Sequence, residues 1–207
     1  MKKSAPLEPK KRPKQRRSKA TVEYILEAAA QILSQDGPRG LNTNGIARRA
    51  GVAVASLYQY FPNKEAIVHA LFEMDLSEER AELATRNAEL QDEPFAKAIR
   101  VGVQSMIDLH ARKPRLVTSI LQSIPFLGGV EALVRARQQV VELVSDAMRR
   151  RPGELRSREN LEIKAFIVVH AVESVIHDAA SERPAYLTNP AFAEALVDML
   201  ERFLLVM

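Results

Sequence analysis

The chain has 207 residues, a net charge of +4 and no cysteine, which excludes disulfides and thiolate metal sites and allows one large or two small domains. No apolar run approaches the length of a membrane span. The stretch from Ile25 to Leu33 is broken by Glu27 and Gln31, so no signal peptide is expected and the protein reads as cytoplasmic.

Charge is unevenly placed. Residues 1–19 hold nine basic side chains against Glu8 alone, a net of +8, whereas the other 188 residues hold 21 basic and 25 acidic, a net of −4. With Pro6, Pro9 and Pro13 and almost no apolar side chains, this segment cannot bury enough surface to offset its ordering entropy. It is expected to be a disordered basic arm that lies along phosphates or enters a minor groove, Arg16 and Arg17 included. A solubilising leader is the plainer alternative.

From Leu41 to Lys64 two short helix patterns meet at one glycine. Asn42 or Thr43 is placed to cap the first, with Ile46, Ala47 and Ala50 on one face. Gly51 supplies the permissive backbone that a sharp turn needs, and Val52 is an apolar plug at the corner. Leu57 and Phe61 turn the next helix into the core, leaving Val54, Ala55, Ser56, Tyr58 and Tyr60 on or near its outer side. Pro62 ends it.

The remaining prolines divide the chain into segments with helical periodicity and no strand alternation, so the fold class is all-α with about nine helices. One helix runs from Lys64 to near Glu89 with Ile67, Ala70, Leu71 and Met74 inward. The next starts near Pro94 and carries Ile99, Val103, Met106, Ile107 and His110. A short helix runs from Pro114 and stops before Pro125. Another covers about Gly129 to Arg150, with Leu133, Val140, Val141 and Val144 inward. Ser157 is placed to cap a helix holding Ala165 to Val169, and Asn189-Pro190 opens the last one.

Residues 22–74 resemble the DNA-binding domain of TetR-family transcriptional regulators. The resemblance rests on Ile25, Leu26, Ala28, Ala29, Leu33 and Gly37, then Thr43-x-x-Ile46-Ala47-x-x-Ala50-Gly51-Val52, then Leu57-Tyr58-x-Tyr60-Phe61-x-x-Lys64-Glu65. It implies a helix-turn-helix domain over 20–66 and a ligand-binding and dimerisation domain over 67–207. It further implies that Asn42, Thr43 and Asn44 contact DNA at the second helix, that Val54, Ala55, Ser56, Tyr58 and Tyr60 lie along the recognition helix, and that Lys64 clamps a phosphate. Ala53 and Ala55 depart from the family pattern, where a hydroxyl residue and a glycine or small polar residue are common. The third helix therefore lacks a side-chain cap, and Val54 and Ala55 are expected to read thymine methyl groups in the major groove.

The same resemblance implies a homodimer through the last two helices, double-stranded DNA bearing an inverted repeat as partner, and a small apolar or amphipathic effector. The expected effector site draws on Leu71, Met74, Val103, Met106, His110, Gln122, Phe126, Phe166, His170 and Glu173, with Leu121 beside them. The function so implied is a ligand-responsive repressor without cofactor. No catalytic set is visible: the sequence has no G-x-S-x-G elbow and no glycine-rich phosphate loop. Two alternatives stay open. His170, Glu173 and His177 share a helical face and suit a metal sensor, with Asp108 and His110 as further ligands; or the arm alone drives general nucleic-acid binding.

Overall fold

The structure is a computed structural model that describes residues 16–127 and 130–206. Among the described residues there are nine α-helices, one 3-10 turn and no strand beyond a single Leu155–Leu205 bridge. The helices are α1 Arg16–Gly40, α2 Thr43–Ala50, α3 Val54–Tyr60, α4 Lys64–Glu89, α5 Phe95–Arg112, α6 Pro114–Leu127, α7 Val130–Arg149, α8 Leu161–Glu182 and α9 Pro190–Leu204, with the 3-10 turn at Pro184–Thr188 before α9. None is long and apolar enough to cross a membrane.

The chain divides into two compact units, Met1–Asp75 with Arg115–Ala132, and Leu76–Pro114 with Leu133–Met207. The division falls within α4, not at residue 66, because the first turns of that helix bury Ala66, Ile67, Val68, Leu71 and Phe72. In the first unit these side chains join Ile25, Ala29 and Leu33 of α1, Ile46 of α2 and Leu57 of α3 as buried residues. α6 belongs to this unit, where the Ser119 hydroxyl donates to the Leu33 carbonyl at 2.9 Å.

Several elements start or stop differently from expectation. α1 begins at Arg16, so the last residues of the basic segment are helical; Arg, Lys and Ala are good helix formers and extend a helix already nucleated by its buried face. The rest of the expected arm, residues 1–15, lies outside the described residues. Gly37 interrupts α1 at φ 67°, a conformation suited to glycine. α6 passes through Pro125, which weakens but does not end its last turn. Ser157 does not cap α8: its hydroxyl accepts from the Glu159 N–H at 3.2 Å in a local turn, and the helix begins after Asn160, a residue type that tolerates the left-handed φ of 53° found there. Asn189 caps α9 as expected, accepting from the Ala191 N–H at 3.0 Å with Pro190 at the first helical position.

The core of the second unit is built by α5, α7, α8 and α9, with Met148, Ala165, Ile176 and Val197 at or near complete burial. α8 is the most apolar helix of the unit and buries Val168, Val172 and Ile176 while leaving Ile163, Phe166, Ile167 and Val175 exposed. α9 does likewise with Met199 and Phe203. Two neighbouring helices of this unit therefore carry apolar side chains on a second, outward face.

Candidate nucleic-acid interface and ligand cavity

In the first unit, local bonds fix the helix-turn-helix before any packing is considered. Asn42 caps α2: its Oδ1 accepts from the Gly45 N–H at 2.8 Å and its amide donates to the Gly40 carbonyl at 3.2 Å. At the other end Gly51, with φ 67°, turns its N–H back to the Ala47 and Arg48 carbonyls, and the Val52 N–H follows to Ala47 at 3.0 Å. α3 has no side-chain cap at Ala53. Leu57 and Phe61 are fully buried, so Val54, Ala55 and Tyr58 are exposed and Ser56 and Tyr60 are half-buried.

The outer edge is cross-linked. The Thr43 and Tyr58 hydroxyls lie 3.1 Å apart, tying the start of α2 to α3. Lys64 Nζ donates to the Leu41 carbonyl at 3.3 Å, and Asn63 caps α4 by accepting from the Ala66 N–H at 2.8 Å. Asn63 was readable as a helix cap from the Asn-Lys-Glu-Ala order, though the resemblance drew attention to Lys64 instead. Asn44 and Arg48 are exposed, while Arg49 donates to Gln35 at 2.8 Å. The leading end of α3 thus presents methyl groups and one hydroxyl, and no charge. Among the expected contacts, Asn42 is occupied as a cap, and the side chains of Arg16 and Arg17 lie outside the described residues.

The second unit holds a cavity of about 140 Å³ walled by α4, α5, α7, α8 and α9. Ile99, Val103 and Met106 line it from α5, Val140 and Val144 from α7, and Val168 and Val172 from α8. Four polar side chains reach its wall: Glu79, Arg86 and Asn87 of α4 and Glu173 of α8. Glu173 is buried and paired with Arg137 of α7. Arg86 bonds Glu82 at 3.1 Å and Glu89 at 2.9 Å, which together raise its pKa above the ordinary arginine value. At one edge Phe95 is held by its own N–H to Glu154 and by the guanidinium of buried Arg151, 5.6 Å from its ring centre. Arg151 also donates to the carbonyls of Ala147, Leu90, Gln91 and Glu93, locking the loop between α4 and α5. Nothing in the helical periodicity marked Arg137 or Arg151, since their partners lie far away in sequence.

Of the expected effector residues, the cavity brings together Val103, Met106 and Glu173. His110 is buried beside it, its Nδ1–H donating to the Met106 carbonyl at 2.8 Å. Leu71 lies in the core of the first unit instead, and Met74 is 55% exposed because the buried stripe Val68, Phe72, Leu76 runs about 200° round the helix from it. Gln122 is exposed in the first unit, and the side chains of Leu121, Phe126 and Leu133 lie outside those described. Phe166 and His170 are also turned away from the cavity: their rings stack 4.0 Å apart on the outward side of α8.

The metal-sensor geometry is lost with them. His170 is fixed to the Phe166 carbonyl at 2.9 Å, Glu173 to Arg137, and His177 faces His110 with ring centres 4.8 Å apart. Burial, and then the electrostatic influence of the neighbouring His110 and Arg137, lower the pKa of His177 to about 3. Asp108 is exposed and accepts from Gln104. Among the described residues no three His, Asp or Glu side chains are placed to hold an ion. Helical spacing put the three residues on one face, but each has a different neighbour.

Two family models match this chain. That for bacterial regulatory proteins of the tetR family covers residues 25–71, and that for the tetracyclin repressor-like C-terminal domain covers residues 94–204. The HTH-type transcriptional repressor DrrR1 of Streptomyces coeruleorubidus is 30% identical over 188 residues, 89% of this chain, and this chain spans 64% of its length. The nucleoid occlusion factor SlmA of Vibrio campbellii is 32% identical over 148 residues, 70% of this chain and 72% of its own. In fold, the chain is similar to SmeT in its complex with triclosan, with a TM-score of 0.71 and 23% identity over 90% of this chain and 92% of that one. The two matched regions include the helix-turn-helix and most of the cavity wall, and the chain belongs to the TetR family of bacterial transcriptional regulators, which are DNA-binding proteins and not enzymes.

Proposed function

We propose that this protein is a cytoplasmic, dimeric repressor that binds an inverted-repeat operator and is released by a small, largely apolar effector. The observation that carries the reading is that one helix, α4, contributes side chains to the core of the reading head through Ile67, Leu71 and Phe72 and to the cavity wall through Glu79, Leu83 and Arg86. A ligand that favours one position of α4 over another changes the free energy of DNA binding by its difference in affinity for the two positions.

Paired α3 helices enter successive major grooves with Val54 and Ala55 leading and Ser56 and Tyr58 behind. Asn44 is free to reach a base, and Thr43, Tyr60 and Lys64 lie where phosphates pass. Arg16, Arg17 and the basic residues before them add sequence-independent attraction. The outward faces of α8 and α9, with Ile163, Phe166, Ile167, Met199 and Phe203, support a two-fold helical interface, since apolar patches of this kind are covered by partners. Binding of triclosan by the fold neighbour SmeT supports a small-molecule role for the cavity.

Selection of binding sites from random DNA, using the full chain and a form lacking residues 2–15, tests this function. An enriched inverted repeat from both, with a flatter salt dependence for the shortened form, is expected. Loss of all sequence preference, or binding that disappears with the arm, would instead mean general nucleic-acid binding.

A further inference from the structure

Gly102 lies in the middle of α5, a position where glycine is destabilising relative to alanine. Glycine is usually kept in a helix because something packs close to it. Here the reverse holds: beyond its chain neighbours and the backbone of its own helix, a Cβ built on Gly102 meets no atom within 4 Å, although the residue lines the cavity. Ala98, Ile99, Val103 and Met106, its neighbours on the helix surface, line the same wall. The absent side chain therefore faces open space within the cavity wall, and any larger residue would occupy part of it.

The polar groups around that space are already matched. Glu173 is paired with Arg137, Arg86 is held between Glu82 and Glu89, Asn87 accepts from Arg150 at 3.0 Å, and Glu79 has its own interaction. An ionic ligand would lose its hydration here and would have to compete for charged groups that already have partners. A neutral one would bury apolar surface against Ile99, Val103, Met106, Val144 and Val172. In size, about 140 Å³ is close to the roughly 150 Å³ of an apolar cavity that takes up benzene.

We propose that this cavity takes a neutral, mainly apolar molecule of about one six-membered ring, and that Gly102 sets this limit on size. The inference rests on the reading of the cavity as the effector site and sharpens it to one ligand class.

Calorimetry on the full-length protein at pH 7.5 with toluene, benzylammonium and benzoate tests it, followed by toluene against Gly102→Leu and Gly102→Ala. Toluene is expected to bind, and each ion at least about tenfold more weakly. Gly102→Leu is expected to weaken toluene by about tenfold or more, and Gly102→Ala to raise the melting temperature while weakening ethylbenzene more than toluene. An ion that binds as tightly as toluene, no toluene binding up to its solubility, or a folded Gly102→Leu variant with unchanged affinity would overturn the inference. If Gly102→Leu does not fold, equal weakening of both hydrocarbons by Gly102→Ala, or none, overturns the size limit. Operator affinity is measured in parallel: toluene that binds without altering it counts against the repressor reading alone, whereas an ion that releases DNA and competes with toluene counts against the ligand class alone.

Discussion

One buried histidine makes this fold sensitive to acid. His177 packs against His110, and burial, with the electrostatic influence of His110 and Arg137, lowers its pKa to about 3 from the ordinary 6.5. The unfolded chain takes up a proton on this histidine as pH falls through 6.5, but the folded chain does not until about 3. Between those values the unfolded state binds more protons, so stability is fully present above pH 6.5 and declines as pH drops. The slope approaches about 1.4 kcal/mol per pH unit, which gives a loss of about 2 kcal/mol by pH 5. That is a large share of the ~5–15 kcal/mol that holds a domain together. Urea unfolding followed by circular dichroism at pH 7.5 and pH 5.0, for the wild type and His177→Gln, isolates the contribution, because other titrating groups appear in both proteins. The wild type should lose about 2 kcal/mol more than the variant over this interval. Equal losses would refute the assignment.

Two further outcomes follow from named contacts. Arg137→Met leaves the buried Glu173 carboxylate without its partner and should cost about 3–5 kcal/mol in urea unfolding, whereas Arg137→Met with Glu173→Met should return to within about 1 kcal/mol of the wild type; a double variant as unstable as the single one would mean that the pair does not act as a unit. Replacing thymine by uracil in the half-sites of a selected operator should weaken binding severalfold per methyl lost, at about 0.8 kcal/mol for each buried group, and unchanged affinity would remove Val54 and Ala55 as thymine readers.

What could be seen in the sequence was whatever depends on near neighbours along the chain. Leu57 and Phe61 lie one helical turn apart, Gly51 follows the last turn of α2, and Asn189 stands before Pro190; in each case a short-range rule decides the local structure, and the structure agrees. Periodicity also found α4, α5 and α9 to within a residue or two. It gave the fold class, and with the quoted motifs the family. It failed where burial depends on which elements meet. Met74 shares α4 with Leu71 yet points outward, and Phe166 shares α8 with Val168 yet stacks on His170 at the surface. The apolar character of α8 could be read from the sequence, but not which of its faces lines the cavity.

Long-range polar partners were out of reach for the same reason. The Arg137–Glu173 pair joins two helices, and Arg151 closes a loop sixty residues away. Helical periodicity says nothing of Gly102, whose meaning lies in the space beside it. Asn42, one of the two candidate caps at the start of α2, does cap that helix, a bond between near neighbours that the chain order could show.

Under the proposed function two reading heads act together on one duplex. Sedimentation and titration with the selected operator, and with the same operator carrying five extra base pairs between its half-sites, decide whether they do. Two chains per duplex and a loss of at least about 100-fold on insertion are predicted, because half a helical turn moves the half-sites to opposite faces of the DNA. One chain per duplex, or affinity indifferent to the insertion, would contradict it.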